Sequence, residues 1–285
     1  MSATQETRRL FLFAGYDSQG IIGQPLEYYI RAVSEYGDIV FVTDNSCPEA
    51  ELNKLEGLVL HSEASRHGEY DFGSYKRAYM WAAGNLDLTS YDFCYLINDS
   101  VYGPLYRLGP YLERMENLGT DAFALVMNPH RDSPHLQSWF IGMNRQTFLS
   151  REFSDFIISV TGQEDKTSVC IIYETGLTQM LHGCGFSYDG LYHIKGRRIY
   201  NRISPLYRKG LPFFKKAAMT RHGGSLGKQV RSVLGNISPA LRRAIVADMD
   251  RLYGKGYADR FLSGGDVVMF LRYVRYLCGK IKINI

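Results

Sequence analysis

The hydrophobic pattern alternates between two periods. Short, nearly all-apolar runs of strand length fall at residues 10–16 (LFLFAGY), 38–44 (DIVFVTD) and 91–97 (YDFCYLI), and weaker ones at 54–61, 121–127 and 137–143. Between them, apolar residues recur at helical spacing. Leu26, Tyr29, Ile30 and Val33 predict a helix over 24–36, and the same spacing predicts helices over 75–83, 108–118, 146–160 and 174–182. Ser74 is placed to cap the helix over 75–83 and Gly57 weakens the strand over 54–61. Strands that are apolar throughout are buried on both faces. Their alternation with helices predicts an α/β fold with a mixed, mostly parallel sheet. Such sheets bind ligands beyond the carboxyl ends of their strands, so polar residues just after strands are the first candidates for chemistry.

After Lys195 the texture changes. Residues 197–221 mix prolines with basic and aromatic side chains, 223–227 reads as a flexible joint, 239–253 as a helix, and 267–283 as a basic helix with a broad apolar face. In that last helix Phe270, Val274 and Leu277 share one side and Arg272, Arg275 and Lys280 lie elsewhere. This predicts a first domain over 1–205 and a basic, mostly helical region over 206–285. The net charge of +4 conceals a strong asymmetry: residues 195–285 carry 20 Lys and Arg against 4 Asp and Glu. A segment of that sign faces an anionic partner, and its aromatic and apolar content suits a phospholipid surface or a polyprenyl diphosphate. The acidic remainder of the chain and the lack of a known binding module argue against nucleic acid. Five cysteines without a CxxC pair suit a reducing compartment, the polar first residues lack an export signal, and no apolar run is long enough to span a bilayer. The expected location is therefore cytoplasmic, peripheral at the inner face of the plasma membrane.

Neither G-x-G-x-x-G nor G-x-x-x-x-G-K-[ST] occurs, which removes the dinucleotide fingerprint and the P-loop, and no organic cofactor is expected. Four segments carry candidate chemistry. Asn98-Asp99-Ser100 ends a strong strand, where nucleotide-sugar transferases place a carboxylate for a divalent cation, Mg²⁺ or Mn²⁺, on the donor diphosphate. With one carboxylate instead of two, Asp99 is either a lone metal ligand or an acceptor for a ribose or sugar hydroxyl. In Asp71-Phe72-Gly73-Ser74-Tyr75-Lys76, Gly73 permits close backbone approach, Ser74 opens a helix and Lys76 offers charge to a diphosphate. Arg131, His135 and Gln137 fall in a polar cluster before a strand and read as sugar or phosphate contacts; the spacing of His130 and His135 does not suit a helical zinc pair. Glu174 begins a predicted helix and is either a helix-start residue or the carboxylate base of a transfer reaction.

Together these segments resemble the rhamnan synthesis protein F family of bacterial polysaccharide glycosyltransferases. The phrases that carry the resemblance are YDFGSYKRA (70–78), NDSVYGPL (98–105), HLQSWF (135–140), YETGLTQMLHGCGF (173–186) and GLPFFKK (210–216). The resemblance implies a GT-A-like nucleotide-sugar-binding domain and transfer of a hexose or a deoxyhexose such as rhamnose. The implied acceptor is a lipid-linked glycan, as in O-antigen or other lipopolysaccharide assembly. It implies that Asp71, Ser74 and Lys76 lie near the donor sugar nucleotide, Asp99 near its diphosphate and Glu174 toward the acceptor, with His135 and Gln137 between. The competing expectation is a non-catalytic glycan- or lipid-binding accessory protein on the same fold.

Overall fold

The computed structural model describes residues 7–222 and 224–280, and within the last helix the side chains of 276, 277, 279 and 280 lie outside the described set. The chain divides into two compact units. One takes the described residues through Ile22, together with Tyr29–Asp99 and Arg107–Gly196. The other takes Gly23–Tyr28, Ser100–Tyr106 and the described residues from Arg197 onward.

The first unit is built on one mixed sheet. In chain order its elements begin with β1 (Arg9–Gly15), α1 (Gln24–Ser34, whose first turn is counted with the other unit), β2 (Asp38–Thr43), β3 (His61–Ala64), α2 (Tyr70–Asn85) and β4 (Phe93–Asn98). The two-residue strand β5 (Val101–Tyr102) belongs to the second unit. The first unit continues with α3 (Gly109–Glu116), β6 (Ala122–Asn128), β7 (His135–Leu136), β8 (Phe140–Asn144), α4 (Arg151–Ile158), α5 (Gly176–Gly183) and β9 (Tyr188–His193). The sheet order is β3-β2-β1-β4-β8-β6-β7, with β9 also on β6. Strands β3, β2, β1 and β4 run parallel, β8 is antiparallel to both β4 and β6, and β9 is parallel to β6.

Strand alternation sorts the core into two layers. Leu10, Leu12 and Ala14 of β1 face one way and meet Phe72, Tyr75, Ala78 and Ala82, the buried stripe of α2. Phe11 and Phe13 face the other way; Phe11 stacks on Tyr95 at 4.9 Å and Phe13 meets Tyr29 edge-on at 5.0 Å. Each such side chain, fully buried, contributes about 1.5–3 kcal/mol relative to exposure.

Register fixes what gathers at the carboxyl edge. Ala14 pairs with Asn98 and Gly15 with Thr43, so β1, β2 and β4 end level with one another. Ile97 pairs with Phe140, which brings the start of β8, and the Ser138-Trp139 turn before it, to the same edge. Asn128, the last residue of β6, pairs with His135 and so ends there too.

Several expected elements differ. The strand over 54–61 is instead a turn at Asn53–Leu55, a left-handed Gly57 (φ 75°) and a strand that begins only at His61. The helix over 146–160 is two, because the Ser150 hydroxyl accepts the Phe153 N–H and starts α4 afresh after the turn Arg145–Phe148. The strand over 137–143 is β8 preceded by a turn through Gln137–Trp139. The helix over 75–83 begins at Tyr70, five residues before its expected start, so Ser74 lies inside it and caps nothing.

The second unit packs around its own core. Tyr102, Phe214, Met219, Leu226, Val230, Leu241, Ile245 and Phe261 are buried together. Tyr102 and Phe214 come from β5 and β10 (Phe214–Lys215), paired antiparallel, Val230 from α6 (Gly227–Leu234), Leu241 and Ile245 from α7 (Pro239–Tyr253), and Met219 and Phe261 from the short helical turns Ala217–Arg221 and Asp259–Leu262, with Leu226 just before α6. The Tyr102 hydroxyl donates to Asp248 at 2.9 Å, and Arg251 donates to the same carboxylate at 2.7 Å. The joint expected over 223–227 is a packed segment: residues 224–227 are buried, Leu226 sits in the core and Gly227 starts α6, while 223 lies outside the described residues. The last described helix, α8 (Asp266–Lys280), buries Met269 and exposes Val267, Phe270 and Leu271, with Val274 half-buried; Leu277 and Lys280, expected on and off its apolar side, lie outside the described side chains. Among the described residues no helix is long and apolar enough to cross a membrane.

Candidate active site

The carboxyl edge of the first unit carries a bonded polar set. The Asn98 amide, at the end of β4, donates to the Asp71 carboxylate in the first turn of α2 at 3.0 Å. One turn further along α2, the Tyr75 hydroxyl donates to the Ser138 carbonyl at 2.9 Å. Ser138 in turn donates both its backbone N–H (3.0 Å) and its hydroxyl (2.6 Å) to one oxygen, Oε2, of Glu174. The other oxygen, Oε1, stands 3.6 Å from His135 Nε2. Burial pushes the Tyr75 phenol well above its ordinary range, and the carboxylates of Asp71 and Glu174 add to the rise. Both anions therefore act on one buried hydroxyl.

Glu174 is not a helix-start residue. It lies in a wide, π-type turn, Cys170–Thr175, that interrupts a helical run from Lys166 into α5. The expected support from a helix N-terminus is absent there, and two hydrogen bonds from Ser138 hold the carboxylate instead. Such wide turns recur at functional positions because the extra residue redirects a side chain.

Asp99 is largely buried, its N–H bonded to the Ala14 carbonyl at 3.2 Å. The Tyr29 phenol is pushed well up by burial and then by the Asp99 charge, which sets the two side chains near one another. Among the described residues no group of three or more His, Cys, Asp or Glu side chains comes together as a metal site. A hard cation requires several oxygen ligands, some of which a bound diphosphate can supply.

Other expected contacts have protein partners. Ser74 is fully buried, and its hydroxyl sits 3.0 Å from His67 Nε2. At Gly73 a Cβ would lie 2.7 Å from the His67 ring and 2.3 Å from Glu69 Cβ, so packing against protein is itself a reason for glycine there. Lys76 donates to the Val160 carbonyl at 2.7 Å, just beyond the end of α4, away from the Asp71–Asn98 pair in bonding. Gln137 is buried and accepts from the Trp139 indole at 2.8 Å. Arg131 is exposed on the loop between β6 and β7. Ser100 belongs to the second unit, where its hydroxyl accepts from Lys215 at 3.0 Å.

Sequence reading missed the residues that organise the α2 entry. Asp44, directly after β2, accepts the backbone N–H groups of His67 and Gly68 at 2.9 Å and of Tyr70 at 3.2 Å. These bonds hold Tyr70 at φ 57°, a left-handed conformation rare for a bulky residue. His67 Nδ1 accepts the Glu69 N–H at 3.0 Å, so its hydrogen is on Nε2 and is donated to Ser74. The signal was present: Asp44 follows a buried strand, the position that the rule for open α/β sheets singles out.

Among solved structures, the chain is similar to a putative nucleotide-diphospho-sugar transferase of Desulfovibrio desulfuricans, at 16% identity and TM-score 0.42 over 87% of this chain and 97% of that one. It is also similar to residues 1–349 of Staphylococcus aureus TarS, at 11% identity and TM-score 0.39 over 96% and 92%. A third likeness is to the Mn/GDP form of core-mannan synthase A of Aspergillus fumigatus, at 9% identity and TM-score 0.33 over 55% and 64%. No curated protein matches significantly. The family model for rhamnan synthesis protein F matches residues 39–240, a span that holds the α2 entry, the β4 turn, the Ser138 turn and Glu174, and the chain belongs to that family.

Proposed function

We propose that the chain is a glycosyltransferase that moves a hexose or a deoxyhexose such as rhamnose from a nucleotide-sugar to a lipid-linked glycan of cell-surface polysaccharide or O-antigen assembly. The observation that carries this reading is the pair of bonds Asp71–Asn98 and Ser138–Glu174 at one sheet edge, with His135 3.6 Å from Glu174, in a chain of the rhamnan synthesis family. Transfer needs two things from a protein: groups that grip an activated donor, and a base for the acceptor hydroxyl.

Asp71 and Asp99 supply carboxylate oxygens that accept from the donor's hydroxyls, and Asn98 supplies an amide beside them. Glu174, anchored on Oε2 with Oε1 left toward His135, sets a carboxylate and an imidazole side by side, and this pair serves as the base for the acceptor hydroxyl as the new glycosidic bond forms. With Lys76 engaged at Val160, the exposed Arg131 is the better placed cation for the departing diphosphate. A divalent cation, if recruited, would arrive with the diphosphate and neutralise its charge. The acceptor's polyprenyl diphosphate and the basic C-terminal segment both favour work at the inner, anionic face of the membrane.

The test is direct. A nucleoside diphosphate present at about 100 times its dissociation constant stabilises its binder by about 2.7 kcal/mol. Melting curves with dTDP, UDP and GDP should show one such shift, and nucleoside diphosphate should be released from the matching nucleotide-sugar. A shift without release from any nucleotide-sugar favours the accessory-protein reading; no shift with any of the three refutes donor binding.

A further inference from the structure

We propose that His135 is the proton-accepting residue of the transfer step, with Glu174 as its charge partner, rather than a contact for sugar or phosphate. This rests on the transferase reading above and names the atom at which the acceptor's proton arrives.

Three observations carry it. First, the tautomer is set by geometry. His135 Nδ1 lies 2.9 Å from the Ser133 carbonyl, which only accepts, so Nδ1 holds the hydrogen and Nε2 presents a lone pair. The Asn128 side-chain amide nitrogen stands 3.5 Å from that lone pair, and the Asn128 amide oxygen accepts the Gly196 N–H at 3.0 Å, which fixes the amide's orientation. Second, Nε2 and Glu174 Oε1 stand 3.6 Å apart, and in the resting tautomer both are acceptors. Two acceptors facing one another form no bond until a proton arrives between them. Third, Glu174 is fitted to stabilise a cation rather than to take the proton. Its Oε2 is committed to two hydrogen bonds from Ser138, which fix the carboxylate and leave Oε1 facing His135 as a counter-charge. An imidazole titrates near neutrality, where general-base efficiency is greatest.

The step balances. The acceptor's O–H proton moves to His135 Nε2, and the O–H electron pair forms the bond to the anomeric carbon. The bond from that carbon to the donor phosphate oxygen breaks, and its pair leaves on the nucleoside diphosphate. The resulting imidazolium pairs with Glu174 Oε1 and returns its proton to solvent after product release. Polar groups from several elements flank the pair. From α2 comes Tyr75, bonded to Ser138 and kept neutral by its raised pKa, with Asp71 beyond it; from β6 comes the uncharged Asn128; and His135's own segment carries His130, Arg131 and Asp132.

The experiment follows nucleoside diphosphate release from dTDP-L-rhamnose, UDP-glucose and GDP-mannose, with water as acceptor, across about pH 5 to 9. In the wild type the rate should rise through a single inflection near neutrality. H135Q should lose that inflection and fall about 100-fold in kcat, while the melting shift given by the matching nucleoside diphosphate is unchanged. E174Q should keep the inflection but move it to lower pH, because the imidazolium has lost its counter-ion. An H135Q enzyme that retains the wild-type inflection and a rate within about twofold overturns the assignment and leaves the transferase reading standing. If H135Q does not fold, an E174Q inflection at the wild-type pH overturns it instead. A wild type that neither binds a nucleotide nor releases one overturns both.

Discussion

The amide of Asn98 and the carboxylate of Asp71 meet at 3.0 Å, joining the end of β4 to the first turn of α2. The bond ties together two segments that the family resemblance assigns to the donor, and it leaves the second Asp71 oxygen to other partners. Asn98 is almost fully buried, so its loss leaves a polar group without its partner. Asn98→Ala should destabilise the protein by about 1–3 kcal/mol in chemical denaturation. Asp71→Asn keeps the size of the side chain and should fold nearly as well, yet weaken nucleotide-sugar turnover by at least about tenfold. Wild-type turnover in folded Asp71→Asn would remove Asp71 from the donor site.

Gly73 tests whether packing or ligand approach demands a glycine. A methyl there would stand 2.7 Å from the His67 ring and 2.3 Å from Glu69 Cβ, closer than atoms of those types tolerate. Gly73→Ala should therefore cost about 1–3 kcal/mol, the usual range for overpacking. If close approach to ligand were the reason, the variant would melt like wild type and lose only nucleotide binding. Melting temperature and nucleotide titration on the same preparation separate the two.

His67 gives a pH-dependent stability with a definite sign. Burial lowers its folded-state pKa below the ordinary value, and the Nδ1 bond from Glu69 and the Nε2 bond to Ser74 need the neutral ring. In the unfolded chain the same imidazole titrates near about 6.5. Between that value and the lower folded one the unfolded state binds more protons, so stability rises with pH there. The contribution of His67 is complete above about pH 6.5 and is lost as pH falls through the folded value. Urea midpoints should decline on acidification below about pH 6.5, and His67→Gln should flatten that part of the decline. An unchanged slope in the variant assigns the acid sensitivity to other groups.

How much of this was legible in the sequence depends on the range of the interaction. The apolar runs at 10–16, 38–44 and 91–97 became the central parallel strands because burial on both faces leaves few alternatives for such runs. The polar residues after them, Asp44 and Asn98, lie at the edge where the rule for open sheets looks for ligands. Helix boundaries were less legible. The start of α2 is set by Asp44, which is 26 residues away from Tyr70 in sequence, through three backbone N–H groups. Glu174 was read as a helix start because sequence spacing does not reveal a wide turn. Its true support, Ser138, lies 36 positions earlier and becomes a neighbour only when β8 pairs with β4. Lys76 and Ser74 were assigned to ligand by residue type, and the fold gives both of them protein partners.

The outward face of α8 carries the last prediction. Val267 is 72% exposed, Phe270 63% and Leu271 59%, while Met269 faces the core of the second unit. These three sit within one turn and its continuation, on a helix that also carries Arg272 and Arg275. Large apolar side chains so exposed gain from transfer to an acyl-chain boundary, and near-surface basic residues add about 1 kcal/mol each on an anionic leaflet. The charge alone would hold the protein loosely and release it in salt; the apolar wedge would resist salt. Phe270→Asp with Leu271→Asp replaces exposed residues, so melting should shift by less than about 0.5 kcal/mol equivalent. Co-sedimentation with vesicles of phosphatidylglycerol and phosphatidylethanolamine should nevertheless fall at least about tenfold, since two buried side chains are lost and two like charges gained. Binding of the wild type to these vesicles should exceed that to phosphatidylcholine vesicles and should survive moderate salt in part. Equal co-sedimentation of variant and wild type would show that α8 does not enter the bilayer. A variant that binds as wild type but elutes from gel filtration at half the mass would reassign the face to a second copy of the chain.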